Sequence, residues 1–208
     1  MLCRMLLQCY WESPPFTIRV IDKDTGRPLV DVHGLAVWMI YSVGSATQAV
    51  FMQDAVSGPD GVLRFAGWGP LRGYQELERP FITLFKPGYV LPRPEPGLRR
   101  TIRGHIPDGE FDTGIRRFSR DGETFAMEPF RGSPAEWLKD LRVEGWDIGG
   151  NFDPKRPEPA RTPYLNRLYR LRAEVERLPR TGIEERDLES YRENLERSIR
   201  RLEEGGRP

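Results

Sequence analysis

The sequence predicts a mainly β protein with an α-helical extension: a β-sandwich followed by a C-terminal helical hairpin. Three observations predict it. Apolar and polar residues alternate with a period of two near the start, as in "FTIRV" from Phe16 to Val20. Pro and Gly concentrate between about Gly58 and Pro163, which suits short strands joined by turns. Beyond Gly132 the apolar spacing changes to three and four, the spacing of amphipathic helices. The 208 residues are 38% hydrophobic and 30% charged, a globular composition that suffices for a core.

Phe16, Ile18 and Val20 form one face of the first strand, and "DKDTGRP" (Asp22 to Pro28) gathers turn residues behind it. "LAVWMIY" (Leu35 to Tyr41) is apolar at every position, so it predicts a strand covered on both faces. From Phe16 to Tyr41 the pattern reads strand, turn, strand, a hairpin. "TQAVFMQDAV" (Thr47 to Val56) is the next strand; "SGPDG" turns the chain and "VLRFAGW" (Val62 to Trp68) returns it. "PFITLFKPGYV" (Pro80 to Val90) gives a further strand ending at Lys-Pro-Gly, and an edge strand is expected around Thr101 to Arg103. "GIRRFSRDGETFAMEPF" (Gly114 to Phe130) predicts a last hairpin with Arg120-Asp121-Gly122 at its tip. In it, Ile115 and Phe118 face Phe125 and Met127.

"SPAEWLKDL" places Ser133 as N-cap, Pro134 at the first helical position and Glu136 three residues on, a capping box. "EGWDIGGNFDPKRPEPAR" (Glu144 to Arg161) reads as a linker. Thr162-Pro163 then opens a helix with a seam of Tyr164, Leu168, Leu171, Val175 and Leu178. Thr181 and Glu184 predict a second capping box, followed by a seam of Leu188, Tyr191, Leu195, Ile199 and Leu202. Two helices with one seam each make an antiparallel hairpin, whose seams must be covered by the sandwich or by a second copy of the chain. The expected organisation is an N-terminal segment over 1–15, the sandwich over 16–130 and the helical extension over 131–208, with the hairpin at 162–204.

The series "VIDKDTGRPLVDV", "LAVW", "SGPDGVLRF" and "PFITLFKPGYV" resembles the carboxypeptidase regulatory-like domain, a family with a transthyretin-like (prealbumin-like) β-sandwich. The resemblance covers about Phe16 to Val90, and the sequence departs from the usual pattern at Val32-His33, where small residues more often precede the buried strand. It implies an accessory domain of the kind found in bacterial envelope proteins, without catalytic residues, and it transfers no site. The expected function is therefore a non-enzymatic binding or structural module of the bacterial cell envelope, with a protein or carbohydrate of the envelope as partner.

The chemistry-bearing residues agree with that expectation. The net charge of +1 gives no basis for nucleic-acid binding. The only cysteines, Cys3 and Cys9, fall in the first ten residues, so no disulfide framework holds the fold. "MLCRMLLQCYW" is too short for a membrane span, which needs roughly 20 residues. Leu6-Leu7-Gln8-Cys9 has the form of a lipoprotein signal end, which makes Cys9 a candidate lipidation site and "YWESPP" a tether if translation starts upstream. Gln8 is larger than the small residue such signals carry before their cysteine. His33 and His105 are far apart, and His33 with Asp31 gives at most a partial zinc set. Asp108, Glu110 and Asp112 begin like a calcium loop, but Gly114 comes one position late and Ser119 stands where the bidentate Glu belongs. No metal and no cofactor are expected. The alternative to a module is a small hydrolase using His33 or His105 with loop carboxylates. Trp68, in "GWGP", is either a ligand-facing aromatic or a plug at the end of the sandwich. Arg100 to Arg103 and Arg116-Arg117 are either an anion-facing group or basic strand edges.

Overall fold

The computed structural model describes residues 9–41, 48–73, 76–77, 80–91, 102–103, 115–149 and 161–204. The protein is mainly β with a C-terminal helical region. The strands are β1 (Cys9–Ser13), β2 (Phe16–Asp22), β3 (His33–Tyr41), β4 (Gln48–Val56), β5 (Val62–Phe65), β6 (Trp68–Gly73), β7 (Glu76–Leu77), β8 (Phe81–Phe85), β9 (Ile102–Arg103) and β10 (Thr124–Met127). The helices are α1 (Pro134–Gly149), α2 (Arg161–Arg177) and α3 (Glu185–Glu204).

The strands form three sheets. β10, β2 and β5 make one; β4, β3, β8 and β9 make the largest, with β7 also on β3; β1 and β6 make a two-stranded ribbon. Strand periodicity then decides what each face covers. Ala36 and Trp38 of β3, Phe51 of β4 and Ile82 and Leu84 of β8 share one apolar cluster with Phe16, Ile18 and Val20 of β2, Leu63 and Phe65 of β5 and Met127 of β10. The alternate positions Leu35, Val37, Met39, Met52, Phe81 and Phe85 belong to a second cluster, completed by the helices. The central sheet is therefore buried on both faces, as the unbroken apolar run from Leu35 to Tyr41 requires. Every residue of β8 is buried for the same reason.

Helix α1 begins as its sequence predicts. The Glu136 carboxylate accepts from the Ser133 N–H at 2.7 Å, and the Glu136 N–H donates to Ser133 Oγ at 3.3 Å. Both long seams are buried: Tyr164, Leu168, Leu171 and Val175 on α2, and Leu188, Tyr191, Leu195, Ile199 and Leu202 on α3. They join α1 residues Trp137, Leu138 and Leu141 and the sheet in one cluster, so the hairpin docks on its own chain.

Several expectations are corrected. β2 and β3 are not a hairpin: β2 pairs with β10 and β5, while β3 pairs with β4, β7 and β8. The connection from Lys23 to Val32 buries Leu29 and Val32, and thereby carries the chain from one sheet to the other. β4 and β5 likewise lie in different sheets, and "SGPDG" is the crossing. Among the described residues of Gly114–Phe130 no hairpin forms: β10 pairs parallel to β2, and Ile115 instead makes an isolated bridge to Glu12. Phe118 and Met127 still enter the core. The "linker" starts too early, because α1 runs to Gly149. Thr181 is no cap, since the Leu188 N–H donates to Glu184 O and α3 starts at Glu185. The tether expected before Phe16 includes strand β1, whose Trp11 is buried in the core, so the β region begins before residue 16.

The crossing at Gly61 sets a steep local requirement. Gly61 has φ 71°, and a Cβ there would lie 2.5 Å from the Val20 carbonyl oxygen. Gly26 has a similar φ of 68° with nothing within 4 Å. Gly61→Ala is therefore expected to lower the unfolding free energy by about 3 kcal/mol, and Gly26→Ala by only about 1 kcal/mol. Urea unfolding of the two variants checks this; equal effects would mean that the Val20 contact contributes nothing.

Candidate functional site

His33, Leu35, Val37 and Met39 point to the same face of the central sheet, because they are two apart on β3. The apolar three meet the helices; His33 meets a cation. Arg167 of α2 is fully buried. Its Nε donates to His33 Nδ1 at 2.9 Å, and its Nη2 donates to the carbonyls of His33 at 3.0 Å and Thr83 at 3.1 Å. Its guanidinium carbon lies 5.6 Å from the Phe85 ring centre. Since Nδ1 accepts, the imidazole proton is on Nε2, which donates to Asp54 Oδ2 at 3.2 Å. The same oxygen accepts from Asn166 Nδ2 at 3.0 Å. Beside this group, Arg170 reaches Asp31 at 3.2 Å.

The electrostatics follow from burial and from Arg167. Burial, reinforced by the Arg167 charge, pushes the His33 pKa down to about 4 despite the hydrogen bond to Asp54. For Asp54, burial works to raise the carboxyl, but the hydrogen bonds from His33 and Asn166 outweigh it and hold the pKa below the ordinary value. At neutral pH the cluster is thus a neutral imidazole between a guanidinium and a carboxylate. It joins α2 to β3, β4 and β8.

Chemically this arrangement is closed. His33 is 0% exposed, and both ring nitrogens are committed, one as acceptor and one as donor. A general base needs a free lone pair within reach of a substrate proton. Ser57, the nearest serine in sequence to Asp54, donates to Leu29 O at 2.6 Å and accepts from the Val32 N–H. It braces the crossing loop. Asp31, paired in the sequence reading with His33, binds Arg170 instead. Among the described residues no group of three or more His, Cys, Asp or Glu side chains is placed to hold a metal ion.

The other sequence-predicted positions separate from this cluster. Trp68 is half-buried; its ring stacks on Phe51 with centroids 4.7 Å apart and meets Trp38 edge-on at 5.5 Å. One face is thus committed to the core. Its Nε1 is buried without a hydrogen-bond partner among the described residues. Arg116 is not a solvated edge residue: it is buried, 4.1 Å from the Trp11 ring centre, and its Nε donates to Leu77 O at 2.5 Å. Cys9 is the first residue of β1, opposite Gly73, and its side chain lies outside the described residues. His105, Arg100, Asp108, Glu110 and Asp112 also lie outside them.

The sequence reading missed two features. One is Arg167, whose spacing of three from Tyr164 and four to Leu171 places it on the buried side of α2. The other is a cleft of about 680 Å³ between α1 and the start of α3. Leu138 and Ile183 contribute its apolar lining, with Lys139, Arg142, Glu184 and Asp187 also around it. Arg142 and Asp187 pair at 3.4 Å. Among the described residues no helix is long and apolar enough to cross a membrane.

No family model matches this chain, and no curated protein matches it. Among solved structures, a 9R-lipoxygenase from Cyanothece PCC8801 is similar at 13% identity with a TM-score of 0.28, over 79% of this chain. The chain spans about a quarter of that structure, 26% of its length, and a likeness this slight carries no argument about fold or activity.

Proposed function

We propose that the chain is a non-enzymatic binding or structural module of a bacterial cell envelope, built on a transthyretin-like β-sandwich of the carboxypeptidase regulatory-like kind. The observation that carries the non-enzymatic part is the closed state of His33: the one described histidine is consumed by Arg167 and Asp54. Two features support the sandwich reading. The sheets containing β2 and β3 share one apolar core. Two of the resembling segments also touch, since the Tyr89 hydroxyl of "KPGY" donates to Asp22 of "VIDKDTG" at 2.8 Å. The envelope reading rests on the family resemblance and on Cys9 as a candidate lipidated residue, with an envelope protein or carbohydrate as the partner class.

The test combines location with turnover. The gene with its upstream in-frame codons, expressed in its own host, is expected to yield protein in the membrane fraction, and Cys9→Ser to release it. Hydrolysis of ester, amide and glycoside reporters is expected to stay at background for the wild type. A turnover lost in His33→Gln or His105→Ala while the fold persists overturns the non-enzymatic reading. Wild-type protein recovered wholly from the cytosol overturns the envelope reading.

A further inference from the structure

The helical layer and the central sheet are joined by apolar seams and by a buried polar cluster. Arg167 supplies three hydrogen bonds to the sheet side of that joint: to His33 Nδ1, His33 O and Thr83 O. A second proton on His33 has only Nδ1 to occupy. That lone pair already accepts the Arg167 N–H, so protonation would set two donors of like charge 2.9 Å apart at a fully buried site. The ring cannot accept the proton and keep Arg167 where it is.

We propose that Arg167, His33, Asp54 and Asn166 form a protonation-sensitive latch, which holds the helical layer on the sheet and releases it as the pH falls. Every element packed on His33 contributes to this balance. α2 brings Arg167 and Arg170, both positive; Arg170 is partly offset by Asp31 in the preceding loop. β4 brings Asp54, the one carboxylate on the ring. β8 brings the Thr83 carbonyl and the Phe85 ring, which do not titrate. Asp54 favours the imidazolium, but Arg167 and burial outweigh it while the latch is shut. Once α2 moves away, the desolvation and the Arg167 repulsion disappear and the Asp54 attraction remains. The proton therefore binds the open form.

The direction follows from linkage. His33 has an ordinary value of 6.5 when open and about 4 when shut. The shut form is at full strength above 6.5, weakens as the pH falls between these values, and loses nothing further below the lower one. The whole loss in the closing equilibrium is about 300-fold, approaching tenfold per pH unit in the middle of the window. Asp54 titrates below this window, because its shut form lies under its ordinary value of 3.8.

Amide hydrogen exchange, corrected for the intrinsic rate and followed from about pH 7 to about pH 4.5, reads the latch directly. Protection on α2 and α3 is expected to fall by roughly 60-fold, while β2 and β5, on the far side of the other core, keep theirs. His33→Gln replaces the ring by an amide with one acceptor and one donor that does not titrate, so its helical protection is expected to be flat with pH. A flat wild-type profile overturns the proposal. So does an equal slope in His33→Gln, or a parallel loss from α2, α3, β2 and β5. Should the variant not fold, the wild-type His33 ring resonances decide: a native-state midpoint near 6.5 overturns the latch, and one well below it supports the latch.

Discussion

Arg167→Ala is expected to lower the unfolding free energy by about 3–5 kcal/mol at neutral pH. The side chain is fully buried, and its removal takes the donor from three acceptors in a buried interface: His33 Nδ1 and the carbonyls of His33 and Thr83. Each acceptor left without a donor costs about 1–3 kcal/mol, and the vacated volume adds to that. Relief of the desolvated guanidinium offsets part of the sum, which is why the estimate stays below the simple total. Water entering the hole would also lessen it. The exposed Arg177 at the end of the same helix serves as control, and Arg177→Ala is expected to change stability by less than about 0.5 kcal/mol. Urea unfolding with a common slope measures both. An Arg167→Ala variant as stable as Arg177→Ala would mean that the three hydrogen bonds contribute nothing net.

The contrast between what the sequence makes legible and what it hides has a physical basis. Burial faces are legible. "LAVWMIY" has no polar position to give to solvent, and β3 is covered on one side by the β2 sheet and on the other by the helices. The seams of α2 and α3 are legible for the same reason, since three-four spacing lays apolar residues along one stripe. The Ser133–Glu136 cap is legible because it is made within one turn of the chain.

Pairing is less legible, because strand, turn, strand is the pattern of a hairpin and of a crossing alike. What distinguishes them here is Leu29 and Val32, apolar residues inside a connection that a tight hairpin would leave polar. "SGPDG" carries hairpin turn chemistry, yet Ser57 ties its start to Leu29 and Val32 rather than to the other arm of a ladder. The polar cluster was legible only in halves. His33 shares the parity of Leu35 and Val37, and Arg167 shares the seam of Tyr164 and Leu171. Nothing in either segment says that they meet across 134 positions of sequence. The N-terminal segment reads as a tether in sequence, because only its distant partner β6, formed from "WGPLRG", turns it into a strand and buries Trp11.

Leu168→Asp together with Leu195→Asp is expected to have the largest effect, removing the helical layer permanently from the sheet. Leu168 is 1% exposed and Leu195 is 4% exposed, and both belong to the cluster that includes Leu35, Val37, Met52 and Phe85 of the sheet. Each leucine contributes about 1.5–3 kcal/mol by burial. Each aspartate must in addition leave water without a cation built to receive it, or hold its proton well above the ordinary range. Together these terms come to roughly 8 kcal/mol or more, comparable to the whole stability of a typical domain, about 5–15 kcal/mol. Lasting detachment, unlike the transient opening read by hydrogen exchange, leaves Val37, Met39, Phe81 and Phe85 exposed as one apolar surface on the sheet, which aggregates. The expected result is a melting transition lost or lowered by tens of degrees, with aggregates on a sizing column at neutral pH. Because the seams dock on the same chain, a monomer that stays folded after losing a partner is not expected. A double variant with the wild-type melting temperature and elution volume would mean that neither seam is buried in solution.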